Sequence, residues 1–166
     1  MTPGGGPLGA LEASGVGQAM RQWLWLYPSV EIAHITGIAL LFGSIAVFDM
    51  RLLGLSRSIP VKTLARHVLP WTAASFLLII PSGLLMFTAH ATEFIQSDVF
   101  VLKICLILAA GLNVALFHAI TFRTADVWDS EEMRKLPPPP SARIAGALSL
   151  ALWISVIACG RLLAYF

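Results

Sequence analysis

Hydrophobic positions gather into four long runs that contain no Asp, Glu, Lys or Arg: Ile32–Phe48, Val68–Thr92, Ile104–Phe122 and Ile144–Gly160. Each approaches the ~20 residues that a helix rising ~1.5 Å per residue needs to cross a hydrocarbon core of ~30 Å. The pattern predicts an all-α integral membrane protein, a four-helix bundle over residues 27–166 with spans at 28–50, 68–92, 99–122 and 142–164. Residues 1–26 read as a Gly/Pro-rich tail and an interfacial N-terminal helix. Leu8, Leu11, Val16, Met20 and Leu24 stand at near-helical spacing over Leu8–Trp25, with Glu12, Gln18 and Arg21 among the polar positions. Pro28 opens the first span, and Pro81, beside Ser82 and Gly83, predicts a kink within the second. Pro137–Pro140 forms a stiff spacer, after which Ser141 is placed to cap the fourth helix.

Composition sharpens the class. Hydrophobic residues make up 57% of the 166 and charged ones 12%, and the mean hydropathy is +0.80, far from soluble averages. A net charge of +2 with no basic motif excludes nucleic acid as a partner and leaves the lipid bilayer. Met1–Arg21 has no basic segment ahead of its apolar part, so no cleaved signal peptide is expected. If the spans alternate, the first and third loops share Arg51, Arg57, Lys62, Arg66, Arg123, Arg134, Lys135 and Arg143, against Arg21, Lys103 and Arg161 on the other side. That asymmetry puts the basic loops in the cytoplasm and both termini outside, in the periplasm for a bacterial inner membrane. Trp23, Trp25, Tyr27 and Tyr165 then fall at the outer interface, Trp71 and Trp128 at the inner one. Cys105 and Cys159 lie inside apolar spans and read as buried free thiols.

Ionisable groups are costly in hydrocarbon, so the few present carry the functional weight. Glu31 and His34 share one face of the first helix, one turn apart. This is either a bundle-facing histidine held by a carboxylate, or a haem or metal ligand whose ring Glu31 orients. His90, with Glu93 one turn beyond, ends the second helix on the same side, so His34 and His90 could ligate one haem or metal; an interfacial, solvated His90 is the alternative. His67 and His118 lie towards the opposite side and could form a second pair, or be solvated and packed, respectively. Asp49 and Arg51 read as a snorkelling interfacial pair, and Lys103 enters the third helix where it could meet a haem propionate or an acidic substrate. Asn113 needs a hydrogen-bond partner within the bundle. No hydrolase triad, P-loop, CxxC site or c-type haem motif occurs.

The stretches WLYPSVEIAHITGIALLFGSIAVFDMRLLG (Trp25–Gly54), LPWTAASFLLIIPSGLLMF (Leu69–Phe87) and FVLKICLILAAGLNVALFH (Phe100–His118) resemble a family of uncharacterised four-helix bacterial membrane proteins. More distantly, an early membrane His, an Arg closing that helix, a mid-span Gly and a Lys entering the third helix are similar to CopD-type copper-resistance proteins and to HemJ-type protoporphyrinogen oxidases, which bind b-type haem. The resemblance implies haem or porphyrin binding at His34, Arg51 and Lys103. The expectation is a b-type-haem-binding membrane redox or electron-transfer protein: His34 and His90 as axial ligands, Glu31 orienting His34, Lys103 on a propionate, and His118 with His67 as a second pair. Its partners would be a membrane or periplasmic redox protein, or further subunits in a homo- or hetero-oligomer. Two alternatives stay open, a copper-handling protein of CopD type using Glu31, His34 and His90, and a cofactor-free accessory subunit of a membrane complex.

Overall fold

The computed structural model describes residues 6–163 and 165. The chain is 84% helical, with no strand among the described residues. Two short helices, α1 (Pro7–Glu12) and α2 (Gly15–Gln22), precede α3 (Leu26–Leu52) and α4 (Val61–Ala89). The short α5 (Ala91–Gln96) leads into α6 (Asp98–Leu116), which continues through a π-helical turn at Phe117–Thr121 and a 3₁₀ turn at Phe122–Thr124 into α7 (Ala125–Trp128). After a 3₁₀ turn at Met133–Lys135, α8 (Pro140–Leu162) closes the chain. Four rods, Leu26–Leu52, Val61–Ala89, Asp98–Trp128 and Pro140–Leu162, are long and apolar enough to cross a membrane. Most of their large apolar side chains face outward, among them Ile32, Leu77, Leu108, Leu112 and Ile154, each more than half exposed. Water would penalise that surface, whereas hydrocarbon accepts it. These are the dimensions and surface of an integral membrane protein. We call the end of the bundle near α1, α2 and α5 the terminal end, and the other the loop end.

The rods pack as a folded row: α3 against α4 and α8, and α8 against α6, whereas α4 and α6 share no extended contact. Small residues set the close approaches, as expected where lipid supplies no hydrophobic drive between helices. A Cβ on Gly37 of α3 would lie 2.7 Å from Ile79 Cγ1 and 3.0 Å from Leu78 Cβ of α4. One on Gly146 of α8 would meet the Asp49 carbonyl and Leu52 Cβ of α3 at 3.1 Å. Between these contacts the Ser44 and Thr72 hydroxyls bond across α3 and α4 at 2.8 Å. At the loop end, Phe48, Leu52, Val61, Ala65, Phe117 and Ala142 form the largest buried apolar cluster.

Several local expectations are corrected. The N-terminal segment is two helices rather than one, because the Ser14 hydroxyl accepts from Gly17 N–H at 3.2 Å and starts α2 anew. α4 begins at Val61, a full two turns before the uncharged run, and continues through both Pro70 and Pro81. Ser141 does not cap α8: the helix starts one residue earlier, at Pro140, a position where a missing N–H costs nothing. Cys159 is buried, but Cys105 faces outward, and both are free thiols.

The two N-terminal helices fasten to the break between α4 and α5. Arg21 donates to the Ala89 carbonyl at 2.8 Å, while the Glu12 carboxylate accepts from the Thr92 amide at 2.7 Å. A cation thus meets the last carbonyls of α4, and an anion meets the first amides of α5, the arrangement that helix ends favour. The hydrogen bonds from Thr92, followed by the Arg21 charge, hold the Glu12 carboxyl below its ordinary range. Gly17 makes the approach feasible, since a Cβ there would come within 2.9 Å of the Thr88 carbonyl.

Candidate functional site

In the terminal half of the bundle, α3 and α4 bring His34 against Ser82, Nδ1 to Oγ at 2.9 Å. Ser82 is 5% exposed, and its hydroxyl donates to the Leu78 carbonyl one turn back, the usual habit of serine in an apolar helix. With its only hydrogen spent there, Oγ accepts from His34 Nδ1–H. That fixes the tautomer and leaves the Nε2 lone pair uncommitted. Gly83 lies against the same Nδ1–Cε1 edge of the ring, where an added Cβ would come 3.1 Å from His34 Cε1.

Lys103 of α6 reaches towards α8 at Gly160, its Nζ 3.8 Å from the point a Cβ there would occupy. The ion pairs among the described residues are Arg51–Asp129, Lys62–Asp126 and His90–Glu93, none of which involves Lys103. Among the described residues, then, His34 keeps Nε2 outside its hydrogen bond to Ser82, and Lys103 has no counter-ion.

The remaining predicted site residues fall elsewhere. Glu31 is exposed, and the Nδ1 position expected for it is held by Ser82 instead. His90 closes α4, eight residues beyond Ser82 or ~12 Å of helix. Its Nδ1 lies 3.2 Å from Glu93 Oε2, and its ring is edge-on to Tyr27 at 6.2 Å. The structure does not bring His34 and His90 together: the two rings stand at different depths along the bundle.

His67 and His118 each donate Nδ1–H to the carbonyl one turn back, Thr63 at 2.8 Å and Val114 at 2.9 Å. No hydrogen bond or ring contact joins them; His118 instead packs on Phe117 and Phe122, with centroids 5.4 and 5.0 Å away. Arg51 lies seventeen residues from His34 along α3. It is not a snorkelling partner of Asp49: it is 2% exposed and donates to Asp129 Oδ1 at 2.5 Å and to the Ile59 carbonyl at 2.7 Å. Asp129 Oδ2 in turn accepts from the Val61 amide at 2.6 Å and so caps the start of α4. Asp49 is 4% exposed, faces Ser149, and leaves Oδ2 without a hydrogen-bond partner. Asn113 finds the partner expected of it, the Ala145 carbonyl of α8 at 3.0 Å. Among the described residues no three His, Cys, Asp or Glu side chains converge as metal ligands.

Sequence reasoning missed Ser82 as the partner of His34, and Asp129 altogether. Ser82 was legible only as part of a Pro-Ser-Gly kink. Asp129 stands 78 residues from Arg51, and no local spacing rule spans that separation.

Fold and site together define a four-helix membrane protein with His34 and Lys103 in one half of its bundle. The chain belongs to DUF6644, a family of unknown function, whose profile matches residues 12–166. No curated protein and no solved structure matches it. Nothing in these comparisons links it to the CopD or HemJ groups.

Proposed function

We propose that this chain is a b-type-haem-binding membrane redox protein that holds a single haem on one histidine, His34. The observation that supports the reading best is the Ser82 hydrogen bond, which orders the ring and leaves Nε2 as a ligand-grade lone pair. A metal-ligating histidine nearly always has its other nitrogen anchored in this way, and the anchor raises its basicity. Haem, when bound, supplies reversible one-electron chemistry. The protein's own part is to orient His34 through Ser82, to offset a propionate charge with Lys103, and to exclude water with the surrounding apolar helices.

The eight basic residues of the two loops, Arg51, Arg57, Lys62, Arg66, Arg123, Arg134, Lys135 and Arg143, favour a bacterial inner membrane with the site in the periplasmic half and both termini periplasmic. An electron partner would then be another membrane protein or a periplasmic carrier. No observation favours copper, which would need more converging ligands than His34 alone. A cofactor-free accessory subunit is the second reading, favoured by the way Ser82 satisfies His34 without any ligand.

The test is an absorption spectrum of detergent-purified protein, oxidised and dithionite-reduced, with iron and copper quantified on the same sample. A Soret band that sharpens on reduction, with near-stoichiometric iron lost in His34→Ala, is the expected result. A colourless, metal-free protein after expression with ample haem would overturn the haem reading and leave the accessory one.

A further inference from the structure

At the loop end, the α3–α4 loop and the α7–α8 loop border a shallow, open surface pocket of about 290 Å³ lined by Arg57, Ser58, Glu131, Arg134 and Lys135. Three cations face one carboxylate across it. Their own hydrogen bonds show how they are held. Arg57 Nε–H donates to the Gly54 carbonyl at 2.9 Å, and Arg134 Nη1–H donates to the Ser58 carbonyl at 3.2 Å. Gly54 permits this turn by adopting a positive φ of 104°, and Pro138 packs over it, 3.3 Å from where its Cβ would stand. The two loops are thereby fixed to each other, with the guanidinium groups on their seam.

Two features of this seam are uncompensated. Arg134 Nε–H is buried and has no hydrogen-bond partner. The charges of Arg57 and Arg134 also both bear on Arg51, whose own charge is already matched by Asp129. Like charges gathered in one place repel, and a buried donor without an acceptor costs free energy. An anion with several acceptor oxygens would offset the gathered positive charge. Guanidinium groups match the oxygens of phosphate in paired fashion, and basic groups beside the end of a membrane span meet phosphate at headgroup level.

We propose that the Arg57–Arg134–Lys135 pocket is a phosphate-binding site, for the phosphodiester of an anionic lipid headgroup or for soluble phosphate. Either ligand would accept from Arg134 and Arg57 and neutralise the excess positive charge, bracing the two loops that carry Asp129 and the start of α4.

The test uses the full chain in neutral detergent, depleted of lipid. Phosphatidylglycerol or phosphatidylcholine is added at equal concentration, and the retained lipid is counted by native mass spectrometry. In parallel, the melting temperature is followed against inorganic phosphate, with chloride at matched ionic strength as control. Several-fold preferential retention of phosphatidylglycerol, abolished in the double variant R57Q/R134Q, supports the site and assigns a lipid headgroup. A rise in melting temperature with inorganic phosphate, absent from the same variant, supports the site and assigns soluble phosphate. Equal retention of the two lipids together with no phosphate-specific shift overturns it, as does a preference that persists in the double variant. If that variant does not fold, Glu131→Gln decides: removing the only carboxylate should increase phosphatidylglycerol retention or the phosphate-induced shift, and no change in either overturns the proposal.

Discussion

The Arg51–Asp129 pair at the loop end and Lys103 in the terminal half meet opposite fates. At the loop end Arg51 and Asp129 are both nearly inaccessible, and every strong bond of the pair closes a backbone gap: Arg51 reaches the Ile59 carbonyl, and Asp129 reaches the Val61 amide. That pair sets where α3 stops and α4 starts. In the terminal half, among the described residues, Lys103 has no acid and His34 has a serine. A charge that stitches the fold together comes with its partner in the same chain, whereas an ionisable group in a span without one is where function is sought first.

The contrast can be broken most forcefully at the paired end. Asp129→Ala strands the Arg51 guanidinium and uncaps α4, so it should cost about 3–5 kcal/mol, read as a lower unfolding midpoint in detergent. A loss below ~1 kcal/mol would remove the distinction between the two ends. Helix contact comes next: Gly37→Ala should cost about 1–3 kcal/mol through the clash with Leu78 and Ile79. Gly43→Ala, on the same helix but with nothing within 4 Å, should stay within about 0.5 kcal/mol. Lys103→Met sharpens the comparison from the other side. It removes an uncompensated charge, so the midpoint should hold or rise while haem occupancy falls; a midpoint drop like that of Asp129→Ala would make Lys103 structural.

The smallest effect belongs to the N-terminal latch. Glu12 has its folded-state pKa depressed by Thr92 and Arg21. Its stabilising contribution is therefore fully present above the ordinary glutamate range and is lost as pH falls through the depressed folded value. The midpoint difference between wild type and Glu12→Gln should accordingly be largest near neutrality and shrink towards acid. A difference that does not change with pH would mean that the latch depends on shape alone.

The four spans were legible because hydrocarbon imposes one simple rule over ~20 residues at a time. Their neighbours in the row were not, since lipid-facing and helix-facing residues here are equally apolar and leave no amphipathic stripe to read. His34 and Lys103 stood out from the sequence because ionisable side chains in a span are rare. Their surroundings did not: Ser82 sits on another helix, and a serine after a proline reads first as part of a kink. Glu31 was the nearer candidate by spacing, yet the helix carries it outward to the surface. The N-terminal break at Ser14 was hidden by apolar positions whose near-helical spacing continues across it.

The π-helical turn at Phe117–Thr121 carries one more residue than the α-helical path would need. Each residue of an α-helix turns the chain by ~100°, and the wider π turn spreads its extra residue over nearly the same rotation, so the turn stores a spare residue without re-aiming the rod. Upstream, Asn113 faces α8; downstream, Phe117 and Thr121 are buried, and Trp128 Nε1–H folds back to the Thr121 carbonyl at 3.0 Å. Removing a single residue there would let the helix relax to a regular one with Asp129 still near its present bearing on Arg51. In genetic terms, a one-codon deletion in this stretch should be better tolerated than one in the regular helix upstream, which would rotate everything beyond it by ~100°.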